Sequence, residues 1–287
     1  MDELKKIKEE FKKDHSFQVY EWENEDGWLD RLIKKFTSHI QEYYSSYQEL
    51  EKDLDKLIDD ENGFTREDIK KFLKEYVKTC IPSTSDTKPE NLRPYRSDFP
   101  EILASLCLQE LFKTEIPVEG IRSRELQEQP GRGIDIVGYE TDGDKIHLII
   151  CEVKGSVSAA NPPKCVTGNI DSMDKQLLSH ITDKKKTLRR LGALYSKAPE
   201  SKKFVLAKIM YLWNSEMNDK LKIVLCPFLV RESTKYKDKD YKFMMTKTKE
   251  YSPGIIRFLI VCINGDLNEI SKKLYDFAPT REVVYND

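Results

Sequence analysis

The run Ile146-His147-Leu148-Ile149-Ile150-Cys151-Glu152-Val153-Lys154 constrains this chain more than any other segment. Apolar residues occupy both of its faces, the pattern of a strand covered on two sides. Such a strand needs layers around it, so the chain must build a sheet with helices packed over it. At 287 residues, 39% of them hydrophobic, it has enough apolar surface to do so. Just upstream, Thr141-Asp142-Gly143-Asp144 separates this strand from a second apolar run over 134–139. Asp-Gly between two such runs signals a hairpin, because the tight turn needs positive φ at its centre.

The rest of the pattern predicts an α/β (α+β) fold, a central mixed β-sheet flanked by helices. Leu32, Phe36, Ile40, Tyr43 and Tyr47 recur at helical spacing within 28–58, and Asn62-Gly63 supplies C-cap chemistry. A second helix is expected over 66–79, capped by Thr65, with Ile69, Phe72, Leu73 and Tyr76 inward. Residues 82–97 hold three prolines and little apolar periodicity, as a linker does. Beyond it the expectations are a helix over 98–112, capped by Ser97 or Asp98 with Pro100 in its first turn, and a short strand over 117–124. A long helix over 172–195, strands over 222–230 and 255–263, and a closing helix over 266–277 follow. The organisation read from this is an N-terminal helical region at 1–81, a linker at 82–97 and an α/β domain at 98–287. The mixed-charge run over 235–242 reads as a surface loop without function.

Composition narrows the function classes. Charged residues make up 34%, yet the net charge is only −2, so any nucleic-acid surface must be a local basic patch. No stretch approaches the roughly eighteen apolar residues of a membrane span, and the charged N-terminus lacks the apolar stretch of a secretory signal. The six cysteines are scattered without a C-x-x-C pair, which argues against a zinc site or a disulfide framework. A cytoplasmic protein is expected.

The strand period of two puts Glu152 and Lys154 on one face, roughly 7 Å apart. Asp135 interrupts the facing strand at the level of Glu152. Two adjacent acids in a low-dielectric setting repel, and one should protonate unless a cation lies between them. Mg²⁺ (or Mn²⁺) suits that position: it prefers oxygen, keeps several waters and takes one or two carboxylates. Asp135 and Glu152 are the candidate ligands, with the Val153 carbonyl a third. Lys154 would orient a nucleophile or neutralise charge growing on a phosphate. The other reading is a structural ion pair at the sheet end. Glu-x-Lys also occurs at Glu3/Lys5, Glu10/Lys12 and Glu200/Lys202, but only the copy at 152 ends an apolar strand with an aspartate across a hairpin. Lys184-Lys185-Lys186 with Arg189-Arg190, and Arg122, Arg124 and Arg132 in the approach to the hairpin, are candidate phosphate contacts. A lysine run on a helix is otherwise a solvated face.

Asp135 followed by Glu152-Val153-Lys154 resembles the PD-(D/E)XK nuclease superfamily. The resemblance implies metal-dependent hydrolysis of DNA phosphodiesters. It makes Glu101, on the preceding helix, a further acidic residue of the site, and Gln176 a polar residue from the following helix. Gln176 with His180 is similar to the glutamine-tyrosine pair of the RecB-like branch, with histidine in the tyrosine position. Gly133-Ile134 stands where a proline often precedes the aspartate. From Arg93 to about Phe277 the layout also resembles the HamA family, the effector subunits of the Hachiman anti-phage system. That implies a DNA-degrading subunit restrained by a helicase, HamB, with the N-terminal helices as the candidate contact. The alternative is an inert nuclease fold that binds nucleic acid or a partner protein.

Overall fold

The computed structural model describes residues 2–58, 64–84, 94–118, 134–215 and 219–280. The chain divides into two compact units. The first takes in Met1–Asn24, Leu103–Gly120 and Gly131–Leu267, and the second Glu25–Ile102, Ile121–Pro130 and Asn268–Asp287.

In chain order the strands are β1 (Leu4–Lys12), β2 (His15–Trp22), β3 (Ile136–Asp142), β4 (Lys145–Ser156), β5 (Leu221–Glu232) and β6 (Ile255–Ile263). The helices are α1 (Trp28–Ser45), α2 (Tyr47–Leu54), α3 (Arg66–Cys80), α4 (Pro94–Phe112) and α5 (Met173–Thr182). They continue with α6 (Lys184–Lys197), α7 (Glu200–Asn214), α8 (Lys239–Thr246) and α9 (Leu267–Phe277).

The first unit is built on a six-stranded sheet in the order β1-β2-β6-β5-β4-β3. β2, β6, β5 and β4 run parallel, while β1 and β3 close the edges antiparallel. The protein is therefore α/β with a mixed sheet flanked by helices. All of β5 except Lys222 is buried, as a strand with neighbours on both edges and layers on both faces requires. Leu148 and Ile150 of β4 share one apolar cluster with Met173, Leu177 and Ile181 of α5. Each such side chain stabilises by about 1.5–3 kcal/mol on burial, so this cluster holds α5 over the β4 face that ends in Glu152.

Gly143 takes φ 56 in the hairpin turn, the conformation the Asp-Gly signal calls for. Beside the hairpin, Glu115 forms a two-hydrogen-bond bridge with Tyr139. A Cβ on Gly138 would come within 2.5 Å of Thr114 Cγ2 and 3.0 Å of the Glu115 carbonyl, which is why β3 carries glycine there. The pairing falls at Glu115, ahead of the strand expected over 117–124; residues 119–124 lie outside the described residues.

Several expectations are corrected. Residues 4–22, read as part of a helical region, form β1 and β2. β1 is an edge strand exposing most of its residues, so its lysines and glutamates hide the period of two. The single stripe over 28–58 divides at Ser46, whose left-handed backbone (φ 49) ends α1 and starts α2. The capping box at Thr65 forms with Asp68, but Phe72 is half exposed and stacks on Tyr76, while Ile69, Leu73 and Val77 point inward. α4 starts at Pro94, so Ser97 and Asp98 lie inside it rather than capping it, and Pro100 sits in its second turn. The long helix over 172–195 is two helices, and α7 was not foreseen. The run over 235–242 is no loose loop: it leads into α8 and carries the fully buried Asp240.

Candidate active site

Asp135 immediately precedes β3, and the register pairs Ile136 with Cys151. The next step of that register sets Asp135 opposite Glu152. The Val153 N–H donates to Asp135 Oδ2 at 2.7 Å, which ties the aspartate to the end of β4. In an antiparallel ladder a residue's N–H and C=O leave by the same edge of the strand. The Val153 carbonyl thus faces the side on which Asp135 lies.

Glu152 is fully buried. Burial drives its carboxyl up to about 7, against the opposing pull of Lys154, the Asp135 carboxyl and Lys186. Asp135 is likewise pushed up to about 7, first by burial and then by the Glu152 charge, while Lys154 and the Val153 N–H act against the shift. Without a cation the pair thus holds a proton near neutral pH, the conflict anticipated from the acids' adjacency. Lys154 is half-buried and has no direct hydrogen bond or ion pair among the described residues.

α5 completes the wall over Glu152. It is anchored at its start by Asp174, which accepts from Thr167 Oγ1 at 2.6 Å and Ser172 Oγ at 2.5 Å. One turn apart on this helix stand Gln176 and His180. His180 Nε2 lies 2.6 Å from Glu152 Oε1. Burial, with the Lys186 charge, lowers the imidazole to about 4, so the ring is neutral at ordinary pH. Glu152 Oε2, His180 Nδ1 and Gln176 Oε1 are buried without a hydrogen-bond partner among the described residues.

Asp183 caps α6, its side chain accepting from the Lys186 N–H at 2.9 Å, and Thr187 Oγ1 donates to the His180 carbonyl at 2.7 Å. Lys184, Lys185, Lys186 and Arg189 of this helix are exposed. Lys186 bears on Glu152 and His180, and Arg190 donates to the Ile134 carbonyl at 3.3 Å. Glu101 is buried on α4, in the second unit, and is not described with this site. Arg122, Arg124 and Arg132 lie outside the described residues.

Arg231 was missed by sequence reasoning because it simply ends an apolar strand. It is fully buried, pairs with Asp240 at 3.1 Å and donates to the carbonyls of Ser158 and Ala160 at 2.5 and 2.8 Å. These contacts brace the segment that leaves β4 just after Lys154. Only an arginine at the end of an interior strand, with an acid nine residues on, could have signalled it.

A family model, HamA, matches residues 2–278. The chain belongs to the HamA family. As a family member it is a protein of the Hachiman anti-phage defence system. The match takes in β1 and β2, which the layout from Arg93 to Phe277 did not include. No curated protein and no solved structure matched the chain. Among the described residues of this family member, no helix is long and apolar enough to cross a membrane. Nor do any three His, Cys, Asp or Glu side chains there form a metal-holding cluster.

Proposed function

We propose that this chain is a PD-(D/E)XK-type, Mg²⁺- or Mn²⁺-dependent nuclease that hydrolyses DNA phosphodiesters. In this reading it works in the cytoplasm as the effector of its defence system, held in check by a helicase partner of the HamB kind. The observation that carries the reading is the meeting of the half-buried Asp135 with the buried Glu152 at the open end of a hairpin, with Lys154 two residues on.

The donor set fits a hard dication. Two carboxylates and one carbonyl are what Mg²⁺ accepts while keeping waters, whereas a structural zinc site needs four protein ligands. Glu152 Oε2 is buried with no hydrogen-bond partner among the described residues once both acids are ionised, an acceptor that a cation would satisfy. Asp135, Glu152 and the Val153 carbonyl would hold the ion, which supplies Lewis acidity at a phosphate oxygen. The chain's own residues do the rest. His180 orients Glu152, Lys154 places a positive charge beside the reacting phosphate, and Gln176 offers an unused amide to water or substrate.

Plasmid nicking by the purified full chain tests this. Cleavage is expected with Mg²⁺ or Mn²⁺ and none with EDTA. Lys154→Ala and Glu152→Gln are each expected to lower the rate by about 10²–10³-fold or more. Calorimetric titration of Mg²⁺ gives a readout that does not depend on cleavage. Persistent nicking in both variants would move the chemistry elsewhere, and no nicking with no metal binding would leave an inert binding module. Co-purification with a helicase encoded beside it tests the restraint.

A further inference from the structure

We propose that Arg190 grips the substrate phosphodiester beside the two carboxylates, a task that the exposed Lys184, Lys185 and Arg189 of the same helix do not perform. The inference rests on the nuclease reading above and deepens it.

A guanidinium removed from water needs a partner for its charge. Three other half-buried or buried arginines among the described residues show this. Arg231 meets Asp240 at 3.1 Å, Arg257 takes Glu140 at 2.5 and 3.0 Å, and Arg66 meets Asp55 at 2.8 Å. Arg190 is half-buried and departs from the pattern. It makes no ion pair among the described residues; its one hydrogen bond goes to the neutral Ile134 carbonyl at 3.3 Å. Its Nε is buried with no partner among the described residues. Nothing in the described part of the chain pairs with that charge, which leaves it available to an anion of the substrate.

Its location says which anion. Ile134 is the residue before Asp135, so the tether sets the guanidinium at the entry of the strand that delivers the carboxylate. Lys186, one turn earlier on α6, bears on Glu152 and His180, and Lys154 bears on both acids. Two carboxylates that share a proton or a dication thus have Lys154 and Lys186 acting on them and Arg190 tethered one residue before Asp135, an excess of positive charge that suits a phosphodiester. With Nε enclosed, the guanidinium presents its Nη groups to a phosphate oxygen, Nη2 through the hydrogen that Ile134 does not take.

The test is fluorescence anisotropy of a short labelled DNA duplex with the full-length protein in EDTA and in Ca²⁺, over a salt series. Arg190→Ala is expected to weaken binding by roughly tenfold and to reduce the salt slope by about one. Arg190→Lys is expected to fall between the parent and Arg190→Ala. Arg189→Ala, the same charge change one residue away, is expected to move affinity by less than about twofold. Should Arg190→Ala fail to fold by its melting curve, the comparison of Arg190→Gln with Arg190→Lys decides the matter. Equal losses at 189 and 190, no loss at 190, or no duplex binding by the parent would each overturn the proposal. Nicking separates it from the reading beneath it: an active parent unaffected by Arg190→Ala retains the nuclease and loses this inference. A silent parent whose binding depends on Arg190 does the reverse.

Discussion

His180 Nε2 lies 2.6 Å from Glu152 Oε1, with both side chains almost wholly out of solvent. A neutral imidazole cannot cancel the glutamate's charge, so the contact acts by orientation. It engages one carboxylate oxygen and leaves Oε2 as the atom with no partner among the described residues. Removing the ring therefore has a specific consequence. His180→Ala is expected to weaken Mg²⁺ binding by about tenfold, the usual loss when the group that holds a ligand is deleted. Calorimetric titration at pH 7.5 measures it, and an unchanged affinity would show that Glu152 needs no such support.

Stability of the metal-free protein should depend on pH in a direction the site sets. Asp135 and Glu152 are raised to about 7, while unfolded carboxylates titrate near 4. In that window the folded state holds more protons, so its stability falls as pH rises through about 7, until both groups are ionised. His180 works in the opposite sense, since its value of about 4 lies below the roughly 6.5 of an unfolded histidine. Its contribution is full above about 6.5 and is lost as pH falls toward 4. From about 6.5 to 8 the carboxylates govern. The urea midpoint is expected to drop across that range in EDTA. Glu152→Gln should flatten the drop and raise stability at pH 8 by on the order of 1–3 kcal/mol. Mg²⁺ should raise the parent's melting temperature at pH 8 more than at pH 6. A variant no more stable than the parent at pH 8 would refute the burial argument.

The Arg231–Asp240 pair is fully buried, with the arginine also holding carbonyls at Ser158 and Ala160. Deleting one partner strands the other's charge. Asp240→Ala or Arg231→Met is expected to cost about 3–5 kcal/mol, and the double variant Arg231→Met with Asp240→Leu less than the two losses together. Urea denaturation of the four proteins closes the cycle. Strict additivity would mean that the pair is not coupled.

Ser46 holds a left-handed backbone, φ 49 and ψ 36, at the junction of α1 and α2. Glycine adopts that conformation without the Cβ clash. Ser46→Gly is expected to stabilise the protein by about 0.5–1 kcal/mol in thermal unfolding. A loss of stability would show that the serine side chain contributes more there than the strain costs.

What the sequence by itself determined was whatever rests on nearest neighbours along the chain. The apolar run through Cys151 and the Asp-Gly turn were enough for the hairpin, and the period of two was enough to place Glu152 and Lys154 on one face with Asp135 across from them. Thr65 and Asp68 announced their cap for the same reason, since both partners lie within one turn. β1 stayed hidden because an edge strand keeps its charged residues in water and loses the alternation that marks a half-buried one.

Tertiary structure alone decided which long-range partners meet. The break at Asp183 turned one foreseen helix into two and left Lys184, Lys185 and Arg189 in solvent while Arg190 reached Ile134. His180 found Glu152 across 28 positions of sequence, and Arg231 found the carbonyls after β4 across more than 70. No local spacing encodes such contacts. They follow from packing the apolar face of α5 onto β4 and from the requirement that every buried charge find a partner.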